Sequence, residues 1–399
     1  MGRFLALSHP YKRPNSSPIT VVGGGLAGLV AAISAAESGA SVDLHEAHSQ
    51  LGGRARSSPG PYVANFGPHV IYADGPLWSW LDDRQLVAGA TRPPLRRLFL
   101  RHHGSLHRIP PPALLRGIQL VRSRDIPGDI SFSQWAEGKA GPKVAEALSR
   151  FTAVGTFTHD PGALSASFAA GVARRATKVP PAARYVPGGW TTLADRLGHR
   201  AVEVGVRIHT GSVVTELPRT GPVIVATELP AARRLLGDEK LTWPSGRVAS
   251  LDLGLGARRG DAFVVSDLDG TGWVECFSYP DPSLAPPDHR LVQVQVGLHP
   301  DESLADGVTR AEALCDLGYP GWRDRETWRR RSLLDGRSGA LDYPGTSWRD
   351  RPAIERGDDV YLCGDSVAAP GLLSEVSWSS AITAAEGALR SVGKEAISR

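Results

Sequence analysis

Ile19-Thr20-Val21-Val22-Gly23-Gly24-Gly25-Leu26-Ala27-Gly28, continued by Leu29-Val30-Ala31-Ala32-Ile33-Ser34-Ala35-Ala36-Glu37, is the stretch from which the fold is read. Its first four residues are a short apolar run of the kind that forms a buried parallel strand. The residues after Gly28 read as a helix, which Gly39 closes. Ser41-Val42-Asp43-Leu44-His45 then resumes a strand ending at Glu46, which makes one βαβ unit. The three glycines act differently. Gly23 allows the tight turn, Gly25 lets the backbone approach a pyrophosphate, and Gly28 lets helix and strand pack closely. Leu26 and Ala27 open a helix whose unpaired N–H groups and positive dipole end suit phosphate. Glu46 falls about twenty residues on, where a carboxylate accepts ribose hydroxyls. A bare G-x-G-x-x-G says little. With strand, helix, second strand and acid in register, it predicts a dinucleotide site.

Working outward, 399 residues with 41% hydrophobic and 22% charged side chains describe a globular chain of two to three domains. The net charge of +4 gives no reason to expect a nucleic-acid partner. Arginine outnumbers lysine 39 to 6, which with abundant Gly, Ala and Pro looks like the codon bias of a high-GC genome. Cys276, Cys315 and Cys363 form no C-x-x-C pair, so neither a disulfide framework nor a metal site is expected, and a reducing cytoplasm fits. Residues 1–16 read as a flexible polar leader too interrupted for a secretory segment. No run approaches the roughly 18 apolar residues of a membrane span, so a soluble protein is expected.

Leu51-Gly52-Gly53-Arg54-Ala55-Arg56 follows five residues after Glu46. The whole stretch GGGLAGLVAAISAAESGASVDLHEAHSQLGGRARS resembles the extended FAD signature of the superfamily that holds phytoene desaturases, flavin amine oxidases and protoporphyrinogen oxidases. The resemblance implies FAD rather than NAD, with Gly53 and Arg54 along the pyrophosphate. Further segments are similar to the family's. Phe66-Gly67-Pro68-His69-Val70 looks like the segment whose backbone passes the isoalloxazine. Tyr185-Val186-Pro187-Gly188-Gly189-Trp190 looks like the opening of the helix before the adenine-side strand. Val206 to Leu217 looks like that strand, with the backbone of Val214 meeting the adenine. Val360-Tyr361-Leu362-Cys363-Gly364-Asp365 looks like the second FAD motif, in which Asp365 accepts a hydrogen bond from the ribityl chain. Leu372 and Leu373 follow before a helix from about Glu375 to Arg390, whose N-terminus would point at the flavin.

The resemblance implies an α/β fold: a Rossmann-type FAD-binding domain assembled from discontinuous segments (17–90, 186–245 and 350–395), with an α+β substrate domain (91–185 and 246–349) built on a largely antiparallel sheet. Leu98 to Pro110 reads as a hairpin turning at Gly104, and helical periodicity follows from Ala113 to Leu148. Arg247 to Leu255, Ala262 to Ser266, Trp273 to Tyr279 and Arg290 to Leu298 alternate as strands. The basic cluster Arg92, Arg96, Arg97, Arg101, His102, His103, Arg108 and Arg116 reads either as a solvated face, the favoured reading, or as a weak membrane-surface contact.

The family chemistry is oxidation by hydride transfer to flavin N5. Its amine oxidases usually place aromatic residues around the flavin, one of them just beyond the second FAD motif, where this chain has Gly371-Leu372-Leu373 and no aromatic until Trp378. That favours a desaturase-like enzyme acting on a mostly apolar metabolite, with an amine oxidase as the alternative. The GDP-dissociation-inhibitor proteins, which use the same fold to bind lipidated partners without catalysis, are a second alternative. His69 is the candidate catalytic residue, as general base or orienter of a substrate oxygen, against the favoured reading that only its backbone matters. The oligomeric state is left open.

Overall fold

A computed structural model of the chain describes residues 17–66 and 70–397. The opening βαβ unit is β1 (Ile19–Val22), α1 (Leu26–Glu37) and β2 (Val42–Glu46). β3 (Ile71–Tyr72) and α2 (Pro76–Asp82) lead to a hairpin, β4 (Leu98–His102) and β5 (Ser105–His107), whose turn is made by His103 and Gly104, both at positive φ. Four helices follow: α3 (Pro112–Leu120), α4 (Phe132–Ala140), α5 (Pro142–Thr156) and α6 (Ala166–Ala176). The chain returns through β6 (Ala183–Arg184), α7 (Gly189–Glu203), β7 (Arg207–Thr210), β8 (Val223–Val225) and α8 (Leu229–Leu236). Next come β9 (Ser245–Gly256), β10 (Val264–Asp267), β11 (Gly272–Cys276), β12 (His289–Gly297), α9 (Leu304–Gly318) and β13 (Glu326–Ala340). β14 (Glu355–Gly357), β15 (Val360–Leu362) and α10 (Ser374–Ile397) end it.

Two large sheets organise these elements. A six-stranded sheet runs β14-β15-β8-β1-β2-β7, parallel except at β14. β1 and β8 are buried throughout, as a sheet covered on both faces requires. α1 is built of small and aliphatic residues because it is wedged between the sheet, α7 and α10. A seven-stranded sheet runs β13-β9-β12-β11-β10-β4-β5, antiparallel except where β10 meets β4. α9 packs its Ala311, Leu314 and Cys315 onto one face of it. α3 to α6 form a separate apolar cluster around Phe132, Trp135 and Leu148. Cys276, Cys315 and Cys363 are all buried and unbridged.

The expected fold class holds, with three differences in detail. The adenine-side strand stops at Thr210, because the N–H groups of Gly211 and Ser212 turn back to donate to the carbonyls of His48 and Glu46 (both 2.9 Å). The last helix reaches Ile397 rather than Arg390, since only Gly393 interrupts good helix formers beyond it. β13, the longest strand at 15 residues, has no counterpart in the expected pattern. Among the described residues, no helix is long and apolar enough to cross a membrane.

Candidate functional site

A cleft of about 740 Å³ opens along the C-terminal ends of β1, β2 and β8, where ligands bind in open parallel sheets. Its volume lies within the roughly 300–1,000 Å³ of small-molecule and cofactor sites. Gly23, Gly25, Leu26, Ala27, Glu46, Gly53, Arg54, Val214, Gly364, Asp365 and Leu373 all line it. They come from four separated stretches of chain, and the fold brings them to one groove.

Gly28 does not line the cleft; it makes the cleft possible. A Cβ there would stand 1.8 Å from the carbonyl oxygen of Gly23 and 3.2 Å from Cβ of Ala226. α1 therefore sits one atom closer to the turn than any other residue would permit. Gly23 itself has φ +108°, a conformation that favours glycine.

Glu46 is buried, and both its carboxylate oxygens hold the loop. The Gly24 N–H donates to Oε2 at 2.7 Å and the His48 N–H to Oε1 at 2.9 Å. Lone pairs remain on both oxygens for ribose hydroxyls, so one side chain braces the glycine turn and faces the cleft. Beside it His45 is in hydrogen-bond contact with Ser212 Oγ at 2.9 Å and stacks on His209. Burial, helped by the neighbouring His209, lowers its pKa, which favours the neutral ring.

Arg54 and Asp365, expected at the pyrophosphate and the ribityl chain, meet one another. Arg54 Nη2 donates to Asp365 Oδ2 at 2.6 Å, and Nη1 donates to the carbonyl of Arg337 at 2.6 Å. Asp365 raises the guanidinium pKa further above its ordinary value. Glu228 stands 3.8 Å from Arg54 Nε and 3.5 Å from Arg337 Nη2. Asp365, Arg54, Glu228 and Arg337 thus form a chain of alternating charges beside the cleft, drawn from the second motif, the 51–56 loop, the start of α8 and β13.

Leu372 lies in a small side chamber that shares Ser338, Gly339, Asp365 and Leu373 with the cleft. Val70 is half-buried and packs with Tyr62, Tyr185 and Phe263 outside the cleft lining. Gly67, Pro68 and His69 fall outside the described residues. The segment just before them is tightly held: Arg330 Nη2 and Gln293 Nε2 donate to the Asn65 carbonyl at 2.9 and 3.2 Å. Arg330 and Gln293 also clasp the buried Asp252, at 2.6 and 2.8 Å, whose pKa burial raises against the pull of Arg330. Trp378 packs against the core of the six-stranded sheet rather than the cleft.

Other lining residues escaped the sequence reading. Gln295 on β12, Arg337, Ser338 and Gly339 on β13, and Arg234 on α8 reach the cleft only through tertiary packing. Phe157, and Trp190 in a segment that resembles the family's, also line it. Part of the basic cluster is held locally: Arg101 bonds Asp267 and Asp269, Arg97 donates to Tyr279 and the Asp261 carbonyl, and Arg108 covers Phe99, while Arg92, Arg96 and Arg116 are exposed.

Residues 21–84 match the family model of the NAD(P)-binding Rossmann-like domain. Over nearly its whole length the chain shares the fold of several solved proteins at low identity. An oxidoreductase from Methanosarcina mazei is 16% identical, covering 92% of this chain and 99% of its own, with a TM-score of 0.75. Cyclohexylamine oxidase from Brevibacterium oxydans is 14% identical, with 95% and 100% coverage and a TM-score of 0.71. A reduced UDP-galactopyranose mutase is 13% identical, with 94% and 96% coverage and a TM-score of 0.69. No curated protein matches the chain.

Proposed function

We propose that this chain is an FAD-dependent oxidoreductase that oxidises a mostly apolar metabolite at carbon. The observation that carries the reading is the convergence of both expected FAD motifs, Gly23–Gly28 with Glu46 and Gly364-Asp365, on one cleft. The residues present suit FAD: a glycine turn closed by Gly28, an acid with spare lone pairs at the ribose position, and Arg54 between the two halves. The fold shared with oxidoreductases, including an amine oxidase, supports the same class.

A bound flavin supplies the hydride acceptor. The chain's own work is to bind and orient. The N-terminus of α1 would hold a diphosphate with its N–H groups, since Gly25, Leu26 and Ala27 line the cleft. Arg54 would exchange Asp365 for that diphosphate and neutralise it, which would leave the Asp365 carboxylate to accept from a hydroxyl. The N-terminus of α10 directs its positive end toward the inner part of the cleft, where it stabilises developing negative charge. Leu341, Leu372, Phe168 and Val172 make an apolar wall behind Asp365. The amine oxidase reading stays as the second one, because cyclohexylamine oxidase and putrescine oxidase share the fold.

The purified protein is expected to be yellow, with FAD released by acid denaturation. A substrate screen under anaerobic conditions should bleach it with an apolar non-amine. Rapid bleaching by simple amines would move it to the amine oxidases. A colourless protein that FAD does not reconstitute would leave a non-catalytic binding protein.

A further inference from the structure

The open end of the β4–β5 ladder presents apolar and basic side chains together. β5 is the free edge of the seven-stranded sheet. Leu100 pairs with His107, Arg101 with Leu106 and His102 with Ser105. Continued by two residues, the same register sets Phe99 opposite Arg108 and Leu98 opposite Ile109. The Arg108 guanidinium does lie over the Phe99 ring, 5.4 Å from its centroid. Ile109 is 79% exposed, Leu98 40%, and Leu95, three residues before it, 69%. Single exposed apolar side chains are ordinary. A leucine and an isoleucine opposed across a ladder, with a third aliphatic residue beside them in the chain, are not.

Charge around this rim has one sign. Residues 85–124 carry eight arginines and no aspartate or glutamate. Asp267 and Asp269 hold Arg101, and Arg97 is engaged by Tyr279 and the Asp261 carbonyl. Arg92, Arg96, Arg108 and Arg116 are exposed, with no ion-pair partner among the described residues. Arg96 and Arg108 adjoin Leu95 and Ile109 in the chain. Burial and the nearby Arg92 both lower the pKa of Arg184, as like charge left without a counter-ion does. Pro93, Pro94, Pro110, Pro111 and Pro112 bracket the apolar residues and bring no N–H group that would lose its water at an interface.

We propose that this rim docks on an anionic lipid surface, with Leu95, Leu98 and Ile109 entering the boundary between headgroups and acyl chains and Arg92, Arg96 and Arg108 meeting lipid phosphates. A bilayer matches both halves of the rim at once, because its apolar layer begins just below its phosphates. A single-stranded nucleic acid is held by stacking on aromatic side chains as well as by charge, and would leave these aliphatic residues without a partner. A second copy docked through the same patch would set the positive rim against itself. None of the rim residues lines the cleft, so the inference stands apart from the flavin reading.

Co-sedimentation of the full chain with lipid vesicles tests it. Vesicles of equal parts phosphatidylcholine and phosphatidylglycerol should carry the protein down, and pure phosphatidylcholine should carry little. Leu95→Ser with Ile109→Ser should lower partitioning by about tenfold or more, from the apolar surface no longer inserted. Arg92→Gln with Arg96→Gln should lower it by about fivefold per arginine at low salt. All four side chains are exposed, so both variants should melt with wild type. A second measurement avoids reliance on them. The three native cysteines are buried, so Ile109→Cys takes an environment-sensitive dye at one place. Its emission should shift to the blue on anionic vesicles, while the same dye on Val202→Cys, 60% exposed on α7, should stay unchanged. No binding to anionic vesicles would overturn the proposal. So would wild-type binding by both double variants, an equal shift at both dye positions, or loss in the arginine variant alone, which would leave adsorption without insertion. Retention on heparin without vesicle binding would also overturn it and assign the arginines to a soluble polyanion.

Discussion

Glu275 lies on β11, fully enclosed, with its Oε1 accepting from the Tyr185 hydroxyl and its Oε2 from the Trp273 indole N–H at 3.2 Å. Burial pushes its carboxyl up to about 7, although both hydrogen bonds pull the other way. Between the ordinary 4.5 and that value the folded chain holds a proton the unfolded chain has released. Folding stability therefore falls as pH rises through this window, and the loss is complete above it. Glu275→Gln removes the titration and can keep both partners, its Oε1 accepting from the Trp273 N–H and its Nε2 donating to the Tyr185 hydroxyl oxygen. Urea unfolding from pH 4.5 to 8 should show the variant gaining on wild type, by on the order of 3 kcal/mol at the top of the range. A pH-independent difference would show that Glu275 ionises normally. At this scale the sequence was informative where a residue's role is set by local spacing. Glu46 was legible from its place at the end of β2, and so was Asp365. Gln295 and Arg337 were not, since nothing near them in sequence marks that the sheet delivers them to the cleft.

Elements were legible in proportion to how regular their surroundings are. The strands between β9 and β12 are buried and alternate or run apolar, so their pattern announces them. β13 reads ETWRRRSLLDGRSGA because it is an edge strand, paired only with β9 and exposed along much of its length. Charged residues are what an edge carries, and the shift of register between Asp335 and Ala340 breaks what alternation there is. α1 shows the opposite extreme, with every contact dictated by closeness. Gly28→Ala should cost about 1–3 kcal/mol from overpacking and abolish dinucleotide retention, because the added methyl displaces the Gly23 carbonyl. Gly138→Ala on α4 meets nothing within 4 Å and should be neutral or stabilising by up to about 1 kcal/mol. Denaturant midpoints and bound flavin, measured on both, decide it. Equal behaviour of the two variants would mean that α1 can move away from the turn.

For the whole molecule, the cleft is a seam between parts distant in sequence: residues 22–27, 45–56, 212–215, 226–235, 337–339 and 363–377 all border it. A ligand lying along it bonds these segments together only when the chain is folded. Stripped protein supplied with FAD at one hundred times its dissociation constant should gain about 2.7 kcal/mol, seen as a rise in melting temperature that grows with FAD concentration. NAD should produce a smaller rise. A melting temperature indifferent to FAD would place the dinucleotide elsewhere.

The order of strands in the six-stranded sheet carries a consequence for biosynthesis. β8 is flanked by β1 and by β15, so one of its two neighbours is made some 135 residues after it. While the ribosome is still adding β9 to β13, the nascent nucleotide sheet presents β8 as an apolar, unpaired border, a surface that invites association with other chains. Only when Val360–Leu362 emerges and docks is that border sealed, and the same docking delivers Gly364 and Asp365 to the cleft. Closure of the sheet and completion of the cleft are therefore one late event. A chain stalled before it at once lacks a complete cleft and is most in need of a chaperone.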